Sequence, residues 1–228
     1  ALFAARANRR TVTMSELDKA KDKIMMGAER RSMVMDDNEK KLTAYHEAGH
    51  AIVGLIVPEH DPVYKVSIIP RGVGALGYTI QRPTEDRFLM TVSELKNRIA
   101  ILLGGRAAEE VIYGEVSTGA QDDLRKATDI AKSMIKAYGM SEKLGQVSLE
   151  RDRQSVFLQT GPSQTPGDYS EQTSREIDCE VRLLIDEQYE RARDLIKSQE
   201  ATLRHAAQVL LEKETITGEE LKVLAAAQ

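Results

Sequence analysis

Little in this sequence can be cross-linked, stacked into an aromatic core or threaded through a bilayer. Cysteine occurs once, at Cys179. A lone thiol excludes an intrachain disulfide framework and points to a reducing compartment. From its helical surroundings, Cys179 is expected to be a small buried hydrophobe rather than a nucleophile. Tryptophan is absent and aromatics make up 4% of the residues. That suits helices packed through alanine, leucine and methionine better than a β-sandwich. Charge of one sign is also scarce: 32 Lys+Arg stand against 36 Asp+Glu, for a net of −4. So weak a field predicts no nucleic-acid partner, and the scattered Arg6, Arg9 and Arg10 read as a solvated face. No apolar run approaches the ~20 residues of a membrane-spanning helix. The longest runs from Ala51 to Val57. No leader peptide is evident, and the first residues read like the middle of a longer protein. No G-x-x-x-x-G-K-[ST] loop occurs, so a phosphate cradle for ATP is not expected here.

What is present centres on His46-Glu47-Ala48-Gly49-His50, a match to H-E-x-x-H. On a helix the two histidines share one face, one turn apart, where a single tetrahedral Zn²⁺ can take both. Glu47 then stands where its carboxylate can serve as general base toward water activated by the metal. The flanks suit a buried helix from about Asp37 to Val57. Leu42, Tyr45, Ile52, Val53 and Ile56 keep the helical period, Asp36 and Glu39 have capping-box spacing, and Pro58 ends the run. Two histidines in an apolar helix need partners, and a metal supplies one.

The rest of the chain predicts a mainly α protein with a small β-sheet beside the metal helix. Residues Ala1 to Met26 read as helical with a break, Ser15 being a candidate cap, and Gly27 marks a domain edge. Val63 to Ile69 and Leu76 to Gln81 read as strands, with Val147 to Leu149 a third candidate. Gly74, Ala75, Leu76, Gly77, Tyr78 and Thr79 form a candidate edge that could hold an extended peptide by main-chain hydrogen bonds. Thr91 and Glu94 have capping-box spacing before a helix that Gly104-Gly105 interrupts or tightens. Asp122 and Asp123 open another helix, where acidic residues suit the helix dipole. Residues 151–169 read as a long surface loop. From Ser170 to about Glu212 the period is helical throughout, and Thr217 with Glu220 caps a short final helix.

A catalytic zinc site needs a third protein ligand and one open position. Glu109, Glu110 and Asp123 are all eligible, and spacing does not choose between them. His60, in a turn flanked by prolines, and His205, on an amphipathic helix, are weaker donors.

Several separate tracts resemble the FtsH family of membrane-anchored, ATP-dependent zinc metalloproteases: HEAGH, Lys21 to Met35, Pro58 to Val63, Ile68 to Gly72, Gly104 to Glu110 and Ser117 to Leu124. The wording is closest to proteobacterial members. The resemblance covers nearly the whole chain and implies a specific site. His46, His50 and Asp123 would be zinc ligands, one ion per chain, and Glu47 the catalytic acid/base. Glu109 would support the site or replace Asp123 as ligand.

The resemblance also implies an organisation. Residues 1–27 would be the tail of an AAA+ ATPase lid and 28–228 the zinc peptidase domain, in a homo-hexamer that degrades unfolded polypeptides. ATP with Mg²⁺ and the membrane would be engaged only by segments outside this chain, at the cytoplasmic face of a bacterial inner membrane. Two rivals stay in view: a helical scaffold that binds no metal, and a zinc hydrolase of another bond.

Overall fold

The architecture is that of a computed structural model that describes residues 1–30, 35–71, 76–82, 89–150 and 169–226. Two short N-terminal helices, α1 (Leu2–Arg6) and α2 (Met14–Met26), precede the long α3 (Asp37–Ile56). Strands β1 (Val63–Ser67) and β2 (Tyr78–Gln81) follow, then α4 (Val92–Tyr113), a single 3₁₀ turn (Thr118–Ala120) and α5 (Gln121–Lys136). The chain closes with α6 (Glu171–Ser198), α7 (Glu200–Lys213), β3 (Thr215–Thr217) and α8 (Gly218–Ala226). It is therefore a mainly α fold with one small antiparallel sheet, ordered β2-β1-β3.

The shortage of aromatics sets the packing. Ala44, Ala48 and Ala51 of α3 and Ala100, Ala107 and Ala108 of α4 are completely buried, and helices faced with alanine can approach closely. At the α3–α4 crossing even a methyl is too large. A Cβ on Gly49 would stand 2.4 Å from the Gly104 carbonyl oxygen and 2.6 Å from the Ala108 methyl. Mid-helix glycine costs ~1 kcal/mol relative to alanine, so this contact is kept against local preference. Ile196 on α6 and Leu203 and Leu210 on α7 complete the same core.

Local signals behave unevenly. The Thr91–Glu94 and Thr217–Glu220 boxes form, each with reciprocal side-chain and backbone hydrogen bonds. The Asp36–Glu39 box does not; Asp36 precedes α3 without a side-chain cap bond. Helix α2 is capped by Thr13 with Glu16, two residues before the expected Ser15. Gly104-Gly105 leaves α4 unbroken. Val147 to Leu149 forms no strand; the Leu149 amide instead donates to the Lys136 carbonyl at the end of α5. The third strand is β3, in the short connection between the tract that reads as helical to about Glu212 and the final helix, and it exists through its pairing with Lys65, Val66 and Ser67 of β1. Cys179 is exposed, not buried. Residues 151–168 of the expected loop lie outside the described residues.

Buried charge fastens α2 to the sheet. Asp22 accepts from Lys65 at 2.7 Å and lies 3.7 Å from the Arg71 guanidinium. Arg71 also bonds Glu29 at 2.7 Å and stands over the Tyr78 ring. Among the described residues no helix is long and apolar enough to cross a membrane.

Candidate metal centre

Helix α3 is buried along the motif face, so His46, Glu47 and His50 each retain 7–8% exposure. The two imidazoles cross nearly edge to face, and their Nε2 atoms are 3.1 Å apart. Asp123, in the first turn of α5, brings Oδ2 to 3.4 Å from each Nε2. The 3₁₀ turn before α5, held by the Ser117 hydroxyl accepting from the Gly119 amide, aims that carboxylate at the histidines.

This triangle can be tested against a metal. Ligands at 2.0–2.1 Å from a tetrahedral Zn²⁺ stand about 3.3–3.4 Å from one another. The three edges of 3.1, 3.4 and 3.4 Å match that spacing. Tautomers agree as well. His46 Nδ1 faces Glu109 Oε1 at 2.7 Å, and His50 Nδ1 faces the Ile101 carbonyl at 2.7 Å. Both partners are acceptors, so each Nδ1 carries a hydrogen and Nε2 is the atom each ring turns to the centre, the arrangement typical of metal-bound histidine. Two ring nitrogens and a carboxylate converging on one point call for a cation, a metal or a proton.

The protonation equilibria express the same demand. Burial opposes charge on His46, yet the hydrogen bonds it donates to Asp123 and Glu109 overcome it and push the ring up to about 10. Burial would raise Asp123, but both imidazoles hold it far below the usual carboxylate range. Glu109 is likewise kept low against its burial, by His46 and by donation from the Ser117 amide and hydroxyl. Glu47 goes the other way: burial pushes it up, against the pull of His50, His46 and Thr79.

Residues 33–224 match Peptidase family M41. The chain belongs to that family. Over 97% of its length it is 52% identical to the ATP-dependent zinc metalloprotease FtsH of Syntrophobacter fumaroxidans, covering 34% of that protein. The FtsH of Photobacterium profundum is 52% identical over 99% of the chain, with 32% of the relative covered. That of Thermotoga maritima is 44% identical over 97% of the chain and 36% of its own length. The M41 chain thus spans about a third of the length of these curated relatives.

Of the residues singled out in the sequence, the structure groups His46, His50 and Asp123 as three donors around one point. Glu109 sits behind His46, on its Nδ1. Glu110 points elsewhere, accepting from the Tyr189 hydroxyl. His205 is exposed on α7, and His60 is packed in the turn after α3, near Gln81. Leu76, Gly77, Tyr78 and Thr79 line a cleft of about 660 Å³ over the triangle; Gly74 and Ala75 lie outside the described residues. Among the described residues β2 pairs on one side only, with β1.

Three contributors escape a reading of the sequence. The Ile101 carbonyl is backbone, which carries no residue signature. Met26, before the expected domain edge at Gly27, lines the cleft. Gly105 contributes by having no side chain: a Cβ there would lie 2.6 Å from both Nε2 atoms. The one available signal was a glycine pair inside an otherwise good helix.

Proposed function

We propose that this chain is the zinc endopeptidase part of a longer, membrane-anchored, ATP-dependent protease that degrades unfolded, misassembled or short-lived regulatory proteins. The observation that carries the reading is the triangle of His46 Nε2, His50 Nε2 and Asp123 Oδ2, whose edges fit one tetrahedral zinc. The names and identities of the relatives support it.

His46, His50 and Asp123 would hold one Zn²⁺ per chain. When bound, the ion supplies a Lewis acid for a scissile carbonyl and lowers the pKa of water. The chain's own groups do the rest. Glu47 accepts a proton from the attacking water as its oxygen bonds to the carbonyl carbon. It then delivers that proton to the leaving nitrogen as the C–N bond breaks. Burial raises Glu47, which makes it a better acceptor near neutral pH than an exposed carboxylate. Glu109 and the Ile101 carbonyl fix the imidazole rings. Residues Leu76 to Thr79 would pair with an extended substrate, leaving a bond over the triangle.

The wider assembly rests on the resemblance to the FtsH family. Residues 1–27 would belong to the ATPase lid and 28–228 to the peptidase domain. Other parts of the full protein would bind ATP with Mg²⁺ and anchor a homo-hexamer at the cytoplasmic face of a bacterial inner membrane.

The test is zinc per chain and cleavage of an unfolded protein, measured side by side. Wild type should hold near-stoichiometric zinc and cleave. Glu47→Gln should keep zinc and lose cleavage, and Asp123→Ala should lose both. Zinc retained by Asp123→Ala but lost from Glu109→Ala would hand the third ligand to Glu109. Full cleavage by Glu47→Gln would sink the acid/base role.

A further inference from the structure

We propose that Thr79 is a positioning residue for Glu47, one that ties the general base to the strand bordering the cleft. The proposal rests on the hydrolytic role given to Glu47 above. The Thr79 hydroxyl lies 2.8 Å from Glu47 Oε2 and 3.3 Å from the Glu47 backbone oxygen. It therefore donates to the side chain of the base while sitting against the turn of α3 that carries it. Thr79 is 32 residues from Glu47 in sequence, so this bond reports tertiary placement, not local helix chemistry.

The strand is built to present that hydroxyl. Along β2, Tyr78 and Ile80 are buried while Thr79 and Gln81 are half-buried, the two-residue period of a strand, and Thr79 and Gln81 line the cleft together with Tyr78. Register is fixed from behind: Thr79 pairs with Val66, which pairs in turn with Ile216 of β3. Threonine is β-branched and stiff at χ1, so a fixed backbone gives a fixed hydroxyl.

Gly77, two residues earlier, forms the other wall. A Cβ at that position would stand 2.7 Å from Glu47 Cγ and 2.8 Å from Oε1, with the Ser67 carbonyl 2.9 Å behind it. The carboxylate is thus held between two positions on one face of the strand. Oε2 is engaged by the Thr79 hydroxyl and Oε1 is left beside the open position at Gly77. Because the same strand would carry the substrate backbone, base and substrate are located by one element.

An interaction of this kind acts on the chemical step, not on peptide binding. A hydrogen bond to a charged group, if its full worth is expressed in the transition state, corresponds to about ten- to hundred-fold in rate. The experiment is steady-state cleavage of an unfolded protein by the zinc-loaded enzyme, comparing wild type, Thr79→Val, Thr79→Ser and Glu47→Gln, with zinc per chain measured on each. Thr79→Val keeps the shape of the side chain and removes the donor; kcat should fall at least about ten-fold with KM within two-fold and zinc unchanged. Thr79→Ser restores a hydroxyl and should recover most of kcat. The proposal is overturned if Thr79→Val keeps wild-type kcat, if its loss lies in KM or zinc content, or if Thr79→Ser is as slow as Thr79→Val. Wild-type rates in Glu47→Gln would instead remove the role of Glu47 itself. An inactive Glu47→Gln beside a fully active Thr79→Val removes the Thr79 proposal alone.

Discussion

Replacing Gly105 with alanine should separate the stability of this protein from its capacity for metal. In most helix interiors that change helps, by about 1 kcal/mol of intrinsic propensity. Here the new Cβ would come within 2.6 Å of both His46 Nε2 and His50 Nε2. Contacts that short require movement, and the rings are not free to move. Each is anchored at Nδ1 by a 2.7 Å hydrogen bond, to Glu109 and to the Ile101 carbonyl. Turning them aside loses roughly 0.5–1.5 kcal/mol per bond, or about 1–3 kcal/mol for both, against about 1 kcal/mol gained in propensity, so the metal-free protein should lose at most about 2 kcal/mol. Zinc affinity should fall by at least about 10–100-fold, the range seen when the outer partners of metal-bound histidines are removed. Gly49→Ala is the control. Its Cβ would strike α4 backbone, so it should lower stability by about 1–2 kcal/mol net of the helix gain. The assays are urea denaturation of the metal-free proteins and zinc titration against a chromophoric chelator. Wild-type zinc affinity in Gly105→Ala would refute the argument, because it would mean that the space beside the two nitrogens is not needed.

Glu109→Gln keeps the shape of a buried side chain but weakens the anchor of His46, and competition titration should show zinc affinity lower by about 10–100-fold. Asp22→Ala should cost about 3 kcal/mol, the low end for breaking a buried ion pair, since it strands Lys65 and weakens the hold on Arg71. A thermal melt should read this as a fall of roughly 6–12 °C. Glu220 is pulled down to about 2, first by the Thr217 amide and then by Lys213 and the Thr217 hydroxyl. A depressed carboxyl stabilises the fold above its unfolded value near 4.5, and that contribution drains as pH falls toward 2. Melts of wild type and Glu220→Gln should therefore differ at pH 7 and converge between pH 4.5 and about 2.

Features that depend on near neighbours in the chain were the legible ones. The α3 span, the Thr91 and Thr217 boxes and the mainly α class all follow from period and cap spacing. Strand β3 was not legible: its three residues are strand because β1 lies beside them, and Ser67 meets Thr215 across 148 positions of chain. Asp36 and Glu39 have the spacing of a box without its bonds, which shows that spacing is permissive rather than sufficient. The exposure of Cys179 was readable after all. It falls two residues from Ile177 and two from Val181, on the side of α6 away from the buried stripe. For the candidate site, H-E-x-x-H announces two donors and a base because all lie on one helix. The choice among downstream carboxylates needed either a family resemblance or the tertiary structure. Gly105 and the Ile101 carbonyl act through a missing side chain and a backbone atom, so no residue type advertises them.

The donors of the triangle are spaced very unequally along the chain. His46 and His50 are one turn apart, so they are brought together as soon as α3 winds. Asp123 lies 77 residues from His46. It arrives only when α4 has crossed α3 and α5 has settled on α4, and closing that long loop carries an entropic cost which only tertiary contacts recover. A chain caught midway offers two nitrogens and no carboxylate, a poor chelate. The complete triangle exists only once these long-range contacts are made, so zinc held there as proposed above would report a finished fold.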